Sequence, residues 1–162
     1  MAYSRQFRWS VVVLAGASMI GVGSASDTPE DSSALESAID WYKNVYATDF
    51  VDDDPNFYDH YTDQVYLGFG QTMGHLRNAA VQVEMGAYTQ EWVDKGWANS
   101  ELQSVEGIEI DARSALLTAY WRIEAADGAT VTECDTPGWR YVVVKPEATW
   151  QVAAEFEAPC LK

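Results

Sequence analysis

The second half of the chain alternates apolar and polar residues with the period of β-strands. Three runs rich in aromatic and β-branched residues carry the pattern: 115–124, 139–145 and 149–156. Turn signals at Asp127-Gly128 and at residues 146–148 separate these runs, which predicts two hairpins. A weaker alternation at residues 102–110 predicts a fourth strand, in which Gly107 would mark a β-bulge.

The first half of the chain begins with a helical pattern. Ser33 and Glu36 have the spacing of a capping box, which predicts the start of a helix. The apolar residues that follow recur at helical period as far as Tyr46. We therefore expect a first helix with one apolar face that packs against the rest of the protein.

Three aspartates at 52–54 follow this helix and predict a turn. Pro55 is suited to the first position of a short second helix, and residues 65–69 predict a strand. A third helix is predicted from about Met73 to Gly96, with apolar residues on two neighbouring stripes. The chain as a whole thus predicts an α+β fold in which three N-terminal helices pack on a curved, mostly antiparallel sheet.

The central predicted strand has two distinct faces, because side chains alternate along a strand. One face carries the apolar residues Leu117, Ala119, Trp121 and Ile123, and we expect it to meet the helices. The other face carries Thr118, Tyr120, Arg122 and Glu124. This mixture of an aromatic ring and paired charges would suit the interface of a homodimer.

The N-terminus has the pattern of a secretory signal peptide. Arg5 and Arg8 precede an apolar run over residues 11–23, and the small residues 24–26 supply a cleavage site. The alternative, a retained membrane anchor, is disfavoured by the short apolar run. We expect a signal peptide at 1–26, a flexible lead at 27–33 and a single domain at 34–162. The mature protein would then be periplasmic or secreted, with no membrane association.

The net charge of the chain excludes some classes of binding partner. The formal net charge is -15 at pH 7, from 10 Lys and Arg against 25 Asp and Glu. Binding to nucleic acid or to an anionic membrane requires clustered cations, so both are excluded as electrostatic partners. The sequence contains no zinc-ligand spacing, phosphate-binding loop or nucleophile elbow, and we predict neither a metal nor a cofactor.

The two cysteines, Cys134 and Cys160, predict a structural disulfide in an exported chain. If the last hairpin turns at residues 146–148, Val144 faces Trp150, and the same register brings the two cysteines opposite each other. A catalytic thiol is the less favoured alternative, since neither cysteine has a histidine or a second thiol near it in the sequence.

The order of these elements resembles the NTF2-like superfamily, which includes the SnoaL-like and ketosteroid-isomerase-like proteins. The segments that carry the resemblance are Trp41-Tyr42 with Asp49, residues 61–65, Trp121-Arg122 with Asp127-Gly128, and residues 150–152. The resemblance implies a cone-shaped cavity between the sheet and the helices, often in homodimers. It implies no single chemistry, because the superfamily contains isomerases, dehydratases, cyclases, hydrolases and non-catalytic binders.

One departure from the superfamily bears directly on mechanism. Ketosteroid isomerases place a carboxylate base in the first strand, whereas residues 65–70 of this chain contain no acid. The paired histidines of the dehydratases and the Arg/Asp set of the epoxide hydrolases are also missing. None of these mechanisms can be transferred to this chain.

Other titratable residues could still transfer a proton within a cavity. The candidates are His75, Asp63, Asp49 and His60. His75 is predicted in the first turn of the third helix, where the helix dipole would favour the neutral imidazole, although a solvated histidine is more common there. Asp49 and Asp63 are also expected as helix-end or turn residues. His60 with Asp59 and Asp63 is a weak candidate for a metal site, against which simple solvation is favoured.

Aromatic residues are the candidates for ligand binding, and Tyr46, Tyr61 and Trp121 are the predicted cavity residues. The sequence is compatible with two functions. The first is an exported binder of a small, largely apolar molecule, with acid–base chemistry of the isomerase, dehydratase or cyclase type. The second is a non-catalytic dimerisation or interaction domain. An open cavity with a buried titratable group would favour the first, and a cone filled by Trp and Tyr side chains would favour the second.

Overall fold

The structure is a computed structural model, and it describes residues 33–69 and 72–161. The predicted signal peptide and nearly all of the predicted flexible lead lie outside these residues. In the described part of the chain, no helix is long and apolar enough to cross a membrane.

The N-terminal helical region packs its apolar face on the sheet. Helix α1 (Ala34–Trp41) begins at Ser33, and the capping box with Glu36 is formed as predicted. A π-helical turn (Tyr42–Tyr46) leads into helix α2 (Ala47–Val51). The wider π turn stacks the rings of Tyr42 and Tyr46 with centroids 4.9 Å apart, and both rings are buried in the core.

Six strands form one sheet. They are β1 (Tyr61–Phe69), β2 (Thr72–Arg77), β3 (Trp97–Asp111), β4 (Ser114–Ala125), β5 (Gly138–Val144) and β6 (Gln151–Ala158), in the order β2-β1-β6-β5-β4-β3. All neighbours are antiparallel except β1 and β6, which are parallel. The helices lie on one side of this curved sheet. The predicted α+β architecture, with its mostly antiparallel sheet, is therefore confirmed.

The predicted faces of the central strand are also confirmed. Leu117, Ala119, Trp121 and Ile123 of β4 are all buried. Helix α1 packs on this side of the sheet, where the indole nitrogen of Trp150 donates a hydrogen bond to the Ser37 hydroxyl at 3.1 Å. The concave side of the sheet is thus the core side, and any cavity of the cone lies there.

Two predicted helices differ from the structure. The short helix after Pro55 is only a 3₁₀ turn, Phe57–His60. The third helix, α3 (Asn78–Asp94), begins five residues later than expected, because 73–77 belong to strand β2. The side-chain amide of Asn78 donates hydrogen bonds to the carbonyl oxygens of Tyr58 and Tyr61, at 2.8 and 2.9 Å, and so fixes this start.

Gly107 does not mark a bulge, because it pairs in regular register with Leu117. The reason for a glycine at this position is space: a Cβ atom there would lie 2.5 Å from the carbonyl oxygen of Leu116. Strand β3 also begins earlier than predicted, at Trp97.

The disulfide between Cys134 and Cys160 is present, with Cα atoms 6.5 Å apart. The predicted register of the last hairpin is wrong near the turn, where Val144 pairs with Gln151 rather than with Trp150. The two cysteines lie in the segments that flank β5 and β6, so they meet although the strand register differs.

Candidate functional site

A β-bulge in β6 turns the side chain of Glu155 into the core. Val143 pairs with Val152 and Val142 pairs with Ala154, so Ala153 is the extra residue on its strand. Beyond the bulge the alternation of side chains changes by one residue. Glu155 therefore points to the core side, where it is only 2% exposed.

Glu155 lines a small cavity inside the cone, which we call the inner cavity. Its volume is about 30 Å³, close to the space that one water molecule occupies. The residues around it come from the π-helical turn, helices α2 and α3, and the sheet. They are Tyr46, Phe50, Met85, Tyr88, Thr89, Trp92, Trp121, Ile123, Trp139, Tyr141 and Glu155. Of the three predicted ligand residues, Tyr46 and Trp121 line this cavity and Tyr61 does not.

Tyr61 nevertheless contacts Glu155, which lines the inner cavity. The Tyr61 hydroxyl donates a hydrogen bond to Oε2 of Glu155 at 2.7 Å. The hydroxyls of Tyr46 and Tyr61 are also 2.7 Å apart, and since the proton of Tyr61 is used, Tyr46 is the donor of that bond. Tyr141 donates a second hydrogen bond to the Glu155 carboxylate.

A further pair of residues extends this network. The indole nitrogen of Trp121 donates to the Tyr42 hydroxyl at 3.3 Å, and Tyr42 is hydrogen-bonded to Tyr141. Two chains of hydrogen bonds, one through Tyr46 and one through Tyr42, therefore converge on Glu155. Such networks fix the position of a buried polar group more firmly than a single contact does.

Burial controls the protonation of this cluster. Loss of solvent raises the pKa of Glu155 to about 7, and the hydrogen bonds from Tyr61 and Tyr141 reduce this rise. Burial and the nearby Glu155 raise the pKa values of Tyr46 and Tyr61 well above the ordinary range, so both stay protonated hydrogen-bond donors. Glu155 is therefore the group of this cluster that can change its protonation near neutral pH.

Two larger pockets adjoin the inner cavity. The aspartate pocket, of about 150 Å³, is lined by Asp49, Phe50, Asp53, Asp54, Phe57, Tyr58, Met85, Thr89 and Trp97. Phe50, Met85 and Thr89 line both this pocket and the inner cavity. The rear pocket, of about 300 Å³, lies beside the disulfide and shares Tyr88, Trp92 and Trp139 with the inner cavity.

The predicted catalytic candidates lie at different places. His75 is on strand β2, exposed, with its ring edge-on to Tyr66 at 5.1 Å. The predicted position of His75 in the first turn of the third helix is therefore wrong, because the rest of β2 lies between His75 and the start of α3. Asp63 is an exposed residue of β1 rather than a turn residue. Of the candidates, only Asp49 lines one of the described pockets, the aspartate pocket.

Asp49 is paired with His60. Its Oδ2 atom lies 2.6 Å from Nε2 of the His60 ring, and the two side chains are partly buried. This contact joins the end of α2 to the 3₁₀ turn. The grouping of His60 with Asp59 and Asp63 as a metal site finds no support, since the described residues contain no group of three or more ligands that could hold a metal ion.

Glu155 was not among the candidates from the sequence. Strict alternation from the buried Val152 places Glu155 on the outer face of β6, and residues 151–156 contain no glycine or proline to signal a bulge. The bulge becomes visible only in the pairing of β6 with β5.

Comparison with solved structures identifies the architecture. Aln2 from a Streptomyces species matches with a TM-score of 0.58 at 15% identity, over 81% of this chain and 91% of Aln2. A candidate ketosteroid isomerase from Shewanella frigidimarina matches with a TM-score of 0.55 at 12% identity, over 78% of this chain and 96% of that one. The fold is NTF2-like.

A designed NTF2 protein supports the same conclusion, with a TM-score of 0.54 at 15% identity over 74% of this chain and 97% of the design. No family model matches the sequence. No curated protein matches it either. At these identities the likeness shows the NTF2-like fold alone, and a shared fold does not determine the chemistry of the cone.

Proposed function

We propose that this NTF2-like cone binds a small, largely apolar molecule and that Glu155 exchanges a proton with it. The observation that carries the proposal is a carboxyl group, 2% exposed, that lines a cavity with aromatic walls. A buried acid of this kind is a common feature of sites that perform acid–base chemistry. Isomerase, dehydratase and cyclase reactions all use such a proton transfer.

The protonation of Glu155 suits this role. With a pKa of about 7, the side chain populates both the acid and the carboxylate near neutral pH. A group that is balanced in this way can accept a proton from a bound molecule and return it. The hydroxyls of Tyr61 and Tyr141 hold the carboxylate in one position while this happens.

The space in the cone determines how a molecule would sit. The inner cavity, at about 30 Å³, accommodates a polar head group and not a whole ligand. The aspartate pocket, at about 150 Å³, can take the apolar body against Phe50, Phe57 and Trp97. Met85 lines both spaces, and its unbranched side chain can change rotamer to connect them.

Export is part of the proposal. The disulfide is typical of an oxidising compartment, and the N-terminal pattern is that of a signal peptide, which supports a periplasmic or secreted mature domain at 34–162. We also propose a homodimer through the outer face of the sheet. The aromatic residues Tyr66, Tyr120 and Phe156 lie partly exposed on that face.

A second function is favoured by one specific observation. Trp and Tyr side chains fill most of the cone, since only about 30 Å³ is left beside Glu155. This filling is what a non-catalytic dimerisation or interaction domain would show. In that case Glu155 would serve only to order the buried tyrosines.

Isothermal titration with 2-phenylethanol, a neutral aromatic probe, distinguishes the two functions. We expect saturable binding at pH 7 and uptake of protons, because a neutral ligand removes the remaining water from Glu155 and favours its protonated form. Titrations in phosphate and in MOPS, whose ionisation enthalpies differ and neither of which carries a net positive charge, measure the proton uptake. Glu155→Gln is expected to abolish this uptake, and Glu147→Gln, at an exposed turn, is the matched control that retains it.

Each part of the proposal has its own contrary result. Absence of saturable binding by the wild-type protein would favour the interaction domain. Proton uptake of equal size in wild type and Glu155→Gln would contradict the role of Glu155, even if the probe binds.

A further inference from the structure

Glu155 has no counter-charge among the residues that the structure describes. The described residues place no lysine, arginine or histidine in an ion pair with it, and its polar partners there are the hydroxyls of Tyr61 and Tyr141. Buried carboxylates in proteins are normally paired with a cation or held neutral by a proton. The Glu155 carboxylate therefore lacks a cationic partner among the described residues.

The walls of the inner cavity also suit a positive charge. Six of the side chains around it are tryptophan or tyrosine rings from four different elements: Trp92, Trp121, Trp139, Tyr46, Tyr88 and Tyr141. The faces of such rings attract cations within about 6 Å of their centres. A cavity of about 30 Å³ holds any occupant within reach of several rings at once.

The residues that line the adjoining pocket include three carboxylates, of which Asp49 is paired with His60. Asp49, Asp53 and Asp54 line the aspartate pocket beside Phe50 and Trp97, and neither lysine nor arginine is among its lining residues. The negative charge of the chain strengthens this local potential, because a cleft with one sign of charge concentrates counter-ions. An anionic molecule would meet repulsion along the whole path from this pocket to Glu155.

We propose that the ligand of the inner cavity is an organic cation, a protonated amine on a small apolar body, whose ammonium group pairs with the carboxylate of Glu155. This inference rests on the proposed function. The ammonium group is about the size of a water molecule and so matches the inner cavity, and the apolar body occupies the aspartate pocket. The ion pair holds Glu155 as the carboxylate, which is the form that accepts a proton.

Three probes that share a phenyl ring and differ in charge test the inference on the mature protein. They are 2-phenylethylamine, 2-phenylethanol and phenylacetate, each titrated calorimetrically at pH 7 and low salt. We expect the amine to bind about tenfold or more tightly than the alcohol, and phenylacetate to bind most weakly, because a desolvated ion pair and the ring faces favour only the cation.

Proton release gives a second readout. Because the ammonium group favours the Glu155 carboxylate, binding of the amine is expected to release protons in wild type, opposite in sign to the alcohol. Glu155→Gln should remove both the release and most of the preference for the amine. The exposed Glu147→Gln variant, which has the same change of charge, should leave both unchanged.

The possible failures are distinguishable. Alcohol binding that equals or exceeds amine binding would overturn the inference and leave the proposed function intact, as would phenylacetate binding most tightly. Absence of binding by all three probes would overturn both. A preference for the amine that persists in Glu155→Gln would assign the cation to the aspartates instead of Glu155 and would also overturn the inference.

Discussion

Replacing Glu155 with glutamine is expected to remove a pH dependence of stability worth about 3 kcal/mol. In the folded protein, burial raises the pKa of Glu155 from an ordinary value of 4.5 to about 7. The unfolded chain therefore loses this proton at lower pH than the folded protein does. Between these two pKa values the folded state binds more protons, so its free energy of unfolding falls as the pH rises.

The stability that protonated Glu155 provides is complete below about pH 4.5 and is lost as the pH rises through about 7. Glutamine does not titrate, so the variant lacks this loss. Unfolding in urea at pH 4.5 and at pH 8 measures the effect as a difference between variant and wild type. Relative to wild type, the free energy of unfolding of the variant should be about 3 kcal/mol higher at pH 8 than it is at pH 4.5.

All other ionisable groups are the same in both proteins, so their contributions to the free energy of unfolding cancel in this difference. Glu147→Gln, at an exposed position, controls for the change in net charge and should track the wild type. An equal difference between Glu155→Gln and wild type at the two pH values would mean that Glu155 titrates as a solvated residue. The site would then lack its acid–base group.

Removing the disulfide by the double change Cys134→Ala and Cys160→Ala is expected to cost about 3 kcal/mol of unfolding free energy. The bond closes a loop between residues 26 positions apart and ties the segment before β5 to the end of β6. Without it the unfolded chain gains conformational freedom, while the strand pairing of the folded state stays intact.

Guanidinium unfolding of the oxidised wild type and the double variant measures this cost. Reduced wild type is the matched control: it should be about as unstable as the double variant, and reductant should not affect the variant. A double variant as stable as the oxidised wild type would show that the hydrogen bond between Leu161 and Thr136, at 3.0 Å, and the β5–β6 ladder hold this region without the bond.

The alternation of apolar residues was sufficient to predict β4, β5 and β6 and the buried face of Trp121. Each of these strands has one solvent-facing and one core-facing side, so apolar and polar residues alternate clearly along the sequence. The same reasoning missed β2, since Met73 to Arg77 precede a helix directly and their apolar residues fit the helical period as well. Tertiary pairing with β1 decides between the two patterns.

The candidate site was harder to predict than the fold. Large aromatic side chains are expected on the elements around the cone, and Tyr46 and Trp121 do line the inner cavity. Their role as ligand-binding residues stays a prediction. Glu155 was missed because one extra residue, Ala153, turns it inward. A bulge depends on the pairing of two strands, and the local sequence of β6 carries no sign of it. The residue to which we assign the proton exchange is thus the one that strict alternation places on the outer face.

The most direct test of the account is the carboxyl carbon resonance of Glu155, followed by ¹³C NMR against pH and assigned by its loss in Glu155→Gln. Without ligand we expect a midpoint near pH 7. With saturating 2-phenylethanol the midpoint should rise, because a neutral molecule in the inner cavity displaces water from the carboxylate. A midpoint near pH 4.5, or one that no concentration of the probe moves, would contradict the claim that Glu155 is the proton-exchanging group of a ligand site.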